Sequence, residues 1–269
     1  METTSRKVLI TGASGGIGRA IAERFAAAGD SLILQAFSNS QALQELQRVY
    51  PKAKIHVLTC DLTDPAAQDD LAELAWNWDR PGLDVLIQAA GVDILTGERK
   101  TWTFDQKLEA LWKVDVQAGI RLARTLGMRM KATVETNGAS ASRSPESLSA
   151  IPHSVILNIG WDAVSFGMAG DSALLFAAAK GAVTAFSRSL AATLAPFVRV
   201  NVLAPGFVQT RWGEEAPPAW QNRVKQASLL DRWGSPQDVA NAAFFLASPE
   251  AAFLNDVVLP VNGGMKRQS

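Results

Sequence analysis

The sequence Thr11-Gly12-Ala13-Ser14-Gly15-Gly16-Ile17-Gly18 follows the short apolar run Val8-Leu9-Ile10 and decides how the chain folds. Its glycines have the spacing G-x3-G-x-G, and the residues after them predict a helix from about 16 to 28. Glycine permits a tight turn and a close approach of the backbone to a ligand. A helix N-terminus adds unpaired N–H groups and the positive end of the helix dipole. This turn between a strand and a helix therefore predicts a site for the pyrophosphate of a dinucleotide.

Short apolar runs alternate with helical runs along the rest of the chain. Strands are predicted at 31–36, 54–59, 83–87, 154–159, 198–203 and 257–261, and helices at 41–49, 65–76, twice within 102–131 and at 171–194. Apolar strands that alternate with helices are typical of a parallel sheet covered on both faces. We therefore predict an α/β protein with one Rossmann domain over residues 1–269, in which helices cover both faces of a doubly wound, seven-stranded parallel sheet. The serine-rich residues 136–150 are predicted to be an exposed spacer loop.

Composition narrows the function classes. Lys+Arg and Asp+Glu both number 26, so the formal net charge is zero. This balance argues against a nucleic-acid partner and against an anionic membrane. No signal peptide and no apolar stretch long enough to span a bilayer is found. The single cysteine, Cys60, excludes an internal disulfide and is expected to be a small core residue, so a cytoplasmic protein is predicted.

Further motifs follow the predicted strands. Asp61 follows the third strand, Gln88-Ala89-Ala90-Gly91 the fourth and Pro205-Gly206 the sixth, and Asp231-Arg232-Trp233-Gly234-Ser235-Pro236 and Val261-Asn262-Gly263-Gly264 stand near the end. With the glycine turn, they resemble the motifs of the short-chain dehydrogenase/reductase family over nearly the whole chain. The family's Asn-Asn-Ala-Gly motif is matched only at Ala90 and Gly91. The resemblance implies an NAD(P)-dependent oxidoreductase that acts on a small-molecule carbonyl or alcohol.

The resemblance also implies which residues contact the cofactor. Asp61, with Leu62 beside it, would contact the adenine, and Val208 and Thr210 would hold the nicotinamide carboxamide. Lys180 would bind the nicotinamide ribose. The implied set is Gly12, Ser14, Gly15, Gly16, Ile17, Gly18, Asp61, Leu62, Ala90, Gly91, Lys180, Pro205, Gly206, Val208 and Thr210.

The turn after the second strand bears on the choice between NADP(H) and NAD(H). A carboxylate there would select NAD(H) by binding the ribose 2′-hydroxyl. The segment has none, and Ser38, Asn39 and Ser40 offer hydrogen-bond donors to a 2′-phosphate instead. The turn also lacks an arginine, and the position of the glycine motif that is often basic is Gly15. NADP(H) is favoured over NAD(H), although Ser and Asn at these positions would also cap the following helix.

The catalytic positions depart from the family's pattern. Its Tyr-x-x-x-Lys motif corresponds to Phe176 and Lys180, and a phenyl ring has no proton to donate. The family's serine position falls at Gly160 or Trp161 when counted from the preceding strand, and at Ala163 when counted back from Phe176. Its asparagine position holds Asp115, which family geometry would pair with Lys180. Tyr50, the chain's single tyrosine, lies near the end of a predicted helix, away from these positions.

The loop after the fifth strand supplies the first candidate for a replacement. Asp162 could act as a proton donor or substrate anchor, because a buried carboxyl with a raised pKa is an acid near neutral pH. It could equally hydrogen-bond the loop backbone. Asp171 is expected at the start of the long helix, where a carboxylate suits the free N–H groups.

The substrate end is predicted from the resemblance alone. Residues 207–228 would form a lid, and Trp161, Trp212 and Trp220 would either line an aromatic pocket or pack in a core or subunit interface. The helix at 171–194 is expected to pack against its symmetry mate in a homodimer or homotetramer. Two functions stay open: an NADP(H)-dependent oxidoreductase with an atypical active site, and a dinucleotide-binding sensor or scaffold without dehydrogenase activity.

Overall fold

The computed structural model describes residues 5–139 and 154–266. The strands within these residues form one seven-stranded sheet. All neighbouring strands pair in parallel, in the order β3-β2-β1-β4-β5-β6-β7. The strands are β1 Lys7–Thr11, β2 Ser31–Ala36, β3 Ile55–Thr59, β4 Val85–Gln88, β5 Val155–Ile159, β6 Arg199–Pro205 and β7 Val258–Val261. The predicted doubly wound parallel sheet is confirmed.

Helices connect the strands. They are α1 Gly16–Ala27, α2 Gln41–Gln44, α3 Leu46–Val49, α4 Pro65–Asn77, α5 Phe104–Leu111, α6 Gly119–Ala139, α7 Asp171–Leu194, α8 Arg211–Glu215, α9 Pro218–Ala227 and α10 Pro236–Leu246. A π-helical turn, Trp112–Ala118, joins α5 to α6. No described helix combines the length and the apolar character that crossing a bilayer requires.

Two sequence predictions need correction. The predicted helix over 41–49 is two short helices that meet at Glu45. The predicted loop at 136–150 is wrong for residues 136–139, which form the last turn of α6, because the helix runs past the point where the serine-rich composition begins. The rest of that segment lies outside the described residues.

The core has two layers because successive strand side chains point to opposite faces of the sheet. In β1, Val8 and Ile10 pack toward α1 and α10, whereas Leu9 packs toward α4, α6 and α7. Both layers are fully buried, as expected for a parallel sheet with helices on each face. Helices therefore cover both faces of the sheet beneath its carboxyl edge.

The strand order places a cleft at one point of that edge. After β3, at one side of the sheet, the chain returns to form β4 beside β1. The connections that leave β1 and β4 therefore diverge to opposite sides, which opens a crevice beyond their carboxyl ends. The glycine turn of residues 11–18 lies at this switch point.

Candidate dinucleotide and catalytic site

Packing explains the spacing of the glycines in the first turn. Gly12 has a φ of +64°, and a β-carbon there would lie 2.5 Å from Ala90 Cα. A β-carbon on Gly18 would lie 2.2 Å from the Gly12 carbonyl oxygen. The turn therefore lies directly against the segment after β4 and against its own helix. This leaves the N-terminal end of α1 open to a phosphate group.

Gln35 holds this turn in place, a role that the sequence gave no sign of. Its Oε1 accepts a hydrogen bond from Gly12 N at 2.9 Å, and its Nε2 donates to the Cys60 carbonyl at 2.9 Å. One buried side chain thus ties together the ends of β1, β2 and β3. Burial raises the pKa of the Cys60 thiol, which keeps it protonated and supports its predicted role as a core residue rather than a nucleophile.

A cavity of about 560 Å³ opens over the carboxyl ends of β1 to β4. Its volume falls within the range of natural cofactor sites, roughly 300–1,000 Å³. Seven residues predicted to bind the cofactor line it: Gly12, Ser14, Gly15, Asp61, Leu62, Ala90 and Gly91. Ser38, Asn39 and Ser40, which follow Phe37, are not among its lining residues. The tight glycine cradle and the cavity above it fit the pyrophosphate and adenosine of a nicotinamide dinucleotide.

Three large side chains in the wall of this cavity escaped the sequence reasoning. Phe37 follows β2, lines the cavity and is 61% exposed. Arg99 and Trp102 also line the cavity, with the guanidinium carbon 5.5 Å from a Trp102 ring centroid. Aromatic side chains commonly line ligand sites, so this exposed ring is available to contact a bound ligand. Because Phe37 directly follows the predicted second strand, its place at the carboxyl edge of the sheet could have been predicted from the sequence.

Lys180 and Asp115 form an ion pair behind the cavity, as expected. Lys180 Nζ lies 2.8 Å from Asp115 Oδ1, and only 13% of the lysine side chain and 1% of the aspartate side chain are exposed. Asp115 Oδ2 also accepts a hydrogen bond from Val92 N at 3.0 Å. The π-helical turn carries Asp115, and such turns often occur at functional sites. The pair joins α7 to the segment after β4.

A polar network continues behind this ion pair. Gln88 Nε2 donates to Asn158 Oδ1 at 3.0 Å and to the Gly119 carbonyl at 2.9 Å. Asn158 Nδ2 in turn donates to Ser187 Oγ at 2.8 Å. A small cavity of about 20 Å³, also lined by Lys180, lies beside these groups. That volume is large enough for one water molecule.

Phe176 lies one helical turn before Lys180 on α7, half-buried against Trp161. Their ring centroids are 6.1 Å apart in an edge-to-face arrangement at 61°. The nearest hydroxyl in the loop, on Ser165, is exposed. Tyr50 packs instead on the core beneath α1 and α10. The two aromatic rings therefore meet at the carboxyl end of β5, where the loop to α7 begins.

Asp162 points away from these rings toward the ends of β6 and β7. Its Oδ2 accepts a hydrogen bond from Asn262 Nδ2 at 2.9 Å, and a β-carbon on Gly206 would lie 3.0 Å from that oxygen. Burial raises the pKa of the carboxyl, although Asn262 and two backbone N–H groups favour the ionised form. Asp171, as predicted, begins α7 and is exposed.

The predicted lid, residues 207–228, contains α8 and α9. Trp212 and Trp220 pack with Phe207 and Trp233, at ring-centroid distances between 5.8 and 6.2 Å. Trp161 packs separately, so the structure does not bring the three tryptophans into one pocket. Thr210, directly before α8, lies against the first turn of α1: a β-carbon on Gly16 would be 2.9 Å from its Cγ2.

Pro205, the last residue of β6, is buried and precedes Gly206. Val208 is also buried and forms an isolated parallel bridge with Gly234. Ile17 and Gly18 lie in the first turn of α1. These predicted residues flank the switch point without lining the large cavity.

Comparison with known proteins agrees with this geometry. A family model described as enoyl-(acyl carrier protein) reductase matches residues 12–266. The chain therefore belongs to the short-chain dehydrogenase/reductase family, whose members are NAD(P)-dependent oxidoreductases that act on carbonyl or alcohol groups.

Individual relatives cover almost the whole chain. The 3-oxoacyl-[acyl-carrier-protein] reductase of Escherichia coli is 32% identical over 98% of this chain and 99% of its own. The meso-2,3-butanediol dehydrogenase of Serratia marcescens is 27% identical over 98% and 96%. A crystallised 7α-hydroxysteroid dehydrogenase with NADH and a 7-oxo bile acid superposes with a TM-score of 0.79, at 26% identity, over 98% of this chain and 95% of its own.

Proposed function

We propose that this chain is an NADP(H)-dependent oxidoreductase that interconverts a small-molecule carbonyl and its alcohol without a tyrosine proton donor. The observation that carries the proposal is the 560 Å³ cavity over the glycine turn, with Lys180 behind it. The bound cofactor would supply the hydride. This chain's residues would hold the cofactor, orient the carbonyl and exclude water.

Cofactor binding in this proposal divides among three groups of residues. The turn at Gly12 and the N-terminus of α1 would bind the pyrophosphate. Leu62, Asp61 and Phe37 would surround the adenine, and the absence of a carboxylate after β2 would admit a 2′-phosphate. Arg99 in the cavity wall is a cation that such a phosphate would attract. Lys180 would hydrogen-bond the nicotinamide ribose with the N–H groups that Asp115 leaves free.

The reacting end has no phenol. Phe176 would contribute only apolar surface there, and Trp161 would take the place of the family's serine. Water would then protonate the alkoxide, with Lys180 providing positive charge nearby. Losing a positioned general acid typically costs about 10²–10⁴ in rate, so turnover would be slow.

A second candidate function draws support from the same rings. Because Trp161 and Phe176 pack edge to face beside Lys180, they would occupy volume that a substrate carbonyl needs. With Asp162 turned toward Asn262, the loop offers no replacement acid at that spot. The chain would then bind the dinucleotide as a sensor or scaffold.

The deciding experiment is a titration with NADPH and with NADH, followed by a screen of carbonyl substrates that monitors cofactor absorbance. We expect tighter binding of NADPH than of NADH and slow substrate-dependent oxidation. Binding without turnover on any carbonyl would favour the sensor or scaffold. Failure to bind either dinucleotide would overturn both candidates.

A further inference from the structure

Asp162 and Asn262 join three parts of the chain that are distant in sequence. Asp162 belongs to the 3₁₀ turn after β5, and Asn262 follows β7. Their side chains meet at 2.9 Å beside the Pro-Gly turn that follows β6. The contact therefore links the loop next to Phe176 with the last described turn of the chain.

The chemistry of the pair fixes the orientation of the Asn262 side chain. An ionised carboxylate only accepts hydrogen bonds, so Asn262 must turn its NH₂ group toward Asp162. Asn262 Oδ1 then faces the opposite way and accepts from Gly264 N at 3.0 Å. Reversing the amide would break both bonds at once. The carboxylate thus sets the turn at 262–264.

Backbone hydrogen bonds connect this 262–264 turn to the end of α9. Leu229 N donates to the Gly264 carbonyl at 3.1 Å, and Lys266 N donates to the Ala227 carbonyl at 2.9 Å. A β-carbon on Gly264 would lie only 2.7 Å from Leu229 Cδ1, so the two segments are tightly apposed. The continuous path runs from Asp162 through Asn262 and Gly264 to Leu229.

Burying a carboxylate without a cation is costly, which argues against an incidental role. Only 8% of Asp162 is exposed, and no lysine or arginine within residues 5–139 and 154–266 forms an ion pair with it. A neutral side chain could fill the space at lower cost. An amide or a hydroxyl at position 162 would not impose one orientation on the Asn262 amide, because each of these groups can donate as well as accept a hydrogen bond.

We propose that Asp162 is a positioning residue, which acts through Asn262 to hold the α8–α9 segment in register with the catalytic edge of the sheet. The inference deepens the proposed function and rests on it, with the α8–α9 segment as the predicted lid over the substrate. It assigns to Asp162 a task other than proton donation. The other end of the segment is set independently, by Thr210 against Gly16.

An exchange of the two side chains separates these roles. In the double variant Asp162→Asn/Asn262→Asp, the amide at 162 would donate to the carboxylate at 262, which would still accept from Gly264 N. Every hydrogen bond is kept, while position 162 loses its carboxyl. Asp162→Asn alone sets an amide against donors on both sides, and Asn262→Asp alone brings two carboxylates together.

The measurement is amide hydrogen exchange of residues 211–229 in the full-length protein without ligands, with β1 and β4 as internal references. Each single variant should speed exchange in this segment by about tenfold, the cost of one lost hydrogen bond of roughly 1 kcal/mol or a little more. Asn262→Ala, which removes the amide without adding charge, should do the same. The double variant should return to the wild-type rate.

Wild-type exchange in all single variants would overturn the proposal. Exchange in the double variant as fast as in the single variants would also overturn the proposal. The carboxyl at position 162 would then have a role that its hydrogen bond to position 262 does not explain. If a single variant unfolded as a whole, exchange in β1 and β4 would also become faster. The exchange rate of the double variant would then decide whether the proposal holds. Because the readout needs neither cofactor nor substrate, failure of the proposed function in the NADPH titration is a separate result.

Discussion

Lys180 Nζ lies 2.8 Å from Asp115 Oδ1, and the two side chains are almost entirely withdrawn from solvent. Asp115 is held at its other oxygen by Val92 N, so the lysine ammonium is anchored to the backbone that follows β4. A cation anchored in this way keeps its position whether or not a ligand is bound. The pair therefore combines a structural role with the proposed contact to the cofactor ribose.

A double-mutant cycle with Asp115→Asn and Lys180→Met should detect this pair. Each single variant leaves one charge buried and unpaired, which destabilises a fold strongly. The double variant should lose less stability than the sum of the two, with a coupling of about 0.5–3 kcal/mol by urea unfolding. The exposed pair Lys113–Glu109, at 2.7 Å, is the matched control and should couple more weakly. Equal coupling in both pairs would contradict the buried anchor.

The glycine turn offers a second matched comparison. A β-carbon at Gly18 would lie 2.2 Å from the Gly12 carbonyl oxygen, whereas one at Gly15 would be 3.4 Å from it. Gly18→Ala should therefore lower the free energy of unfolding by about 1–3 kcal/mol, the usual cost of overpacking, and weaken NADPH binding. Gly15→Ala should be tolerated. Urea unfolding and fluorescence titration measure both, and similar behaviour of the two variants would refute the packing argument.

Features of the fold and the site that depend on local sequence patterns could be predicted from the sequence. Features that depend on contacts between distant segments could not. The doubly wound parallel sheet and the glycine turn follow from local patterns, namely apolar runs and glycine spacing, and the structure agrees with both predictions. The ion pair of Asp115 with Lys180 was expected from family geometry. Gln35 was missed, because its two hydrogen bonds join segments that only the fold brings together. The direction of Asp162 depended on Asn262, 100 residues away, and no local pattern encodes that.

The pH dependence of stability should report the burial of Asp162. Its pKa is raised from the ordinary value of 3.8, chiefly by burial. A carboxyl with a higher pKa in the folded state contributes stability that is fully present below the unfolded pKa and is lost as pH rises through the folded pKa. The stability of the wild type relative to Asp162→Asn should therefore fall as pH rises above about 4. Urea unfolding at a series of pH values checks this, and a difference that grows with pH would have the wrong sign.

Phe37 should contribute to binding of both dinucleotides if its ring stacks on the adenine. Replacing an aromatic residue that stacks on a base costs about 1–3 kcal/mol, so Phe37→Ala should weaken NADPH and NADH alike by roughly tenfold or more. Phe37→Trp keeps a stacking surface and is the control. A loss confined to NADPH would instead place the ring beside the 2′-phosphate. No change in either affinity would show that the exposed ring serves another purpose.

Restoring the proton donor is the strongest test of the reacting end. Phe176→Tyr would add a hydroxyl one helical turn from Lys180, whose charge favours the phenolate and so lowers the pKa of the phenol. Trp161 packs against this ring at 6.1 Å between centroids and would crowd a substrate oxygen there. Phe176→Tyr alone should therefore raise kcat/KM only slightly. The double variant Phe176→Tyr/Trp161→Ser should raise kcat/KM by about 10²-fold, the lower range for a positioned general acid.

Trp161→Ser alone is the matched control, since it opens the same space without supplying a phenol. If kcat/KM of Trp161→Ser rises as much as that of the double variant, crowding by the Trp161 ring limits the wild type, and the missing proton donor does not. If neither variant turns over while both bind NADPH as the wild type does, the substrate contacts have been lost together with the tyrosine. The sensor or scaffold would then be the better account of this chain.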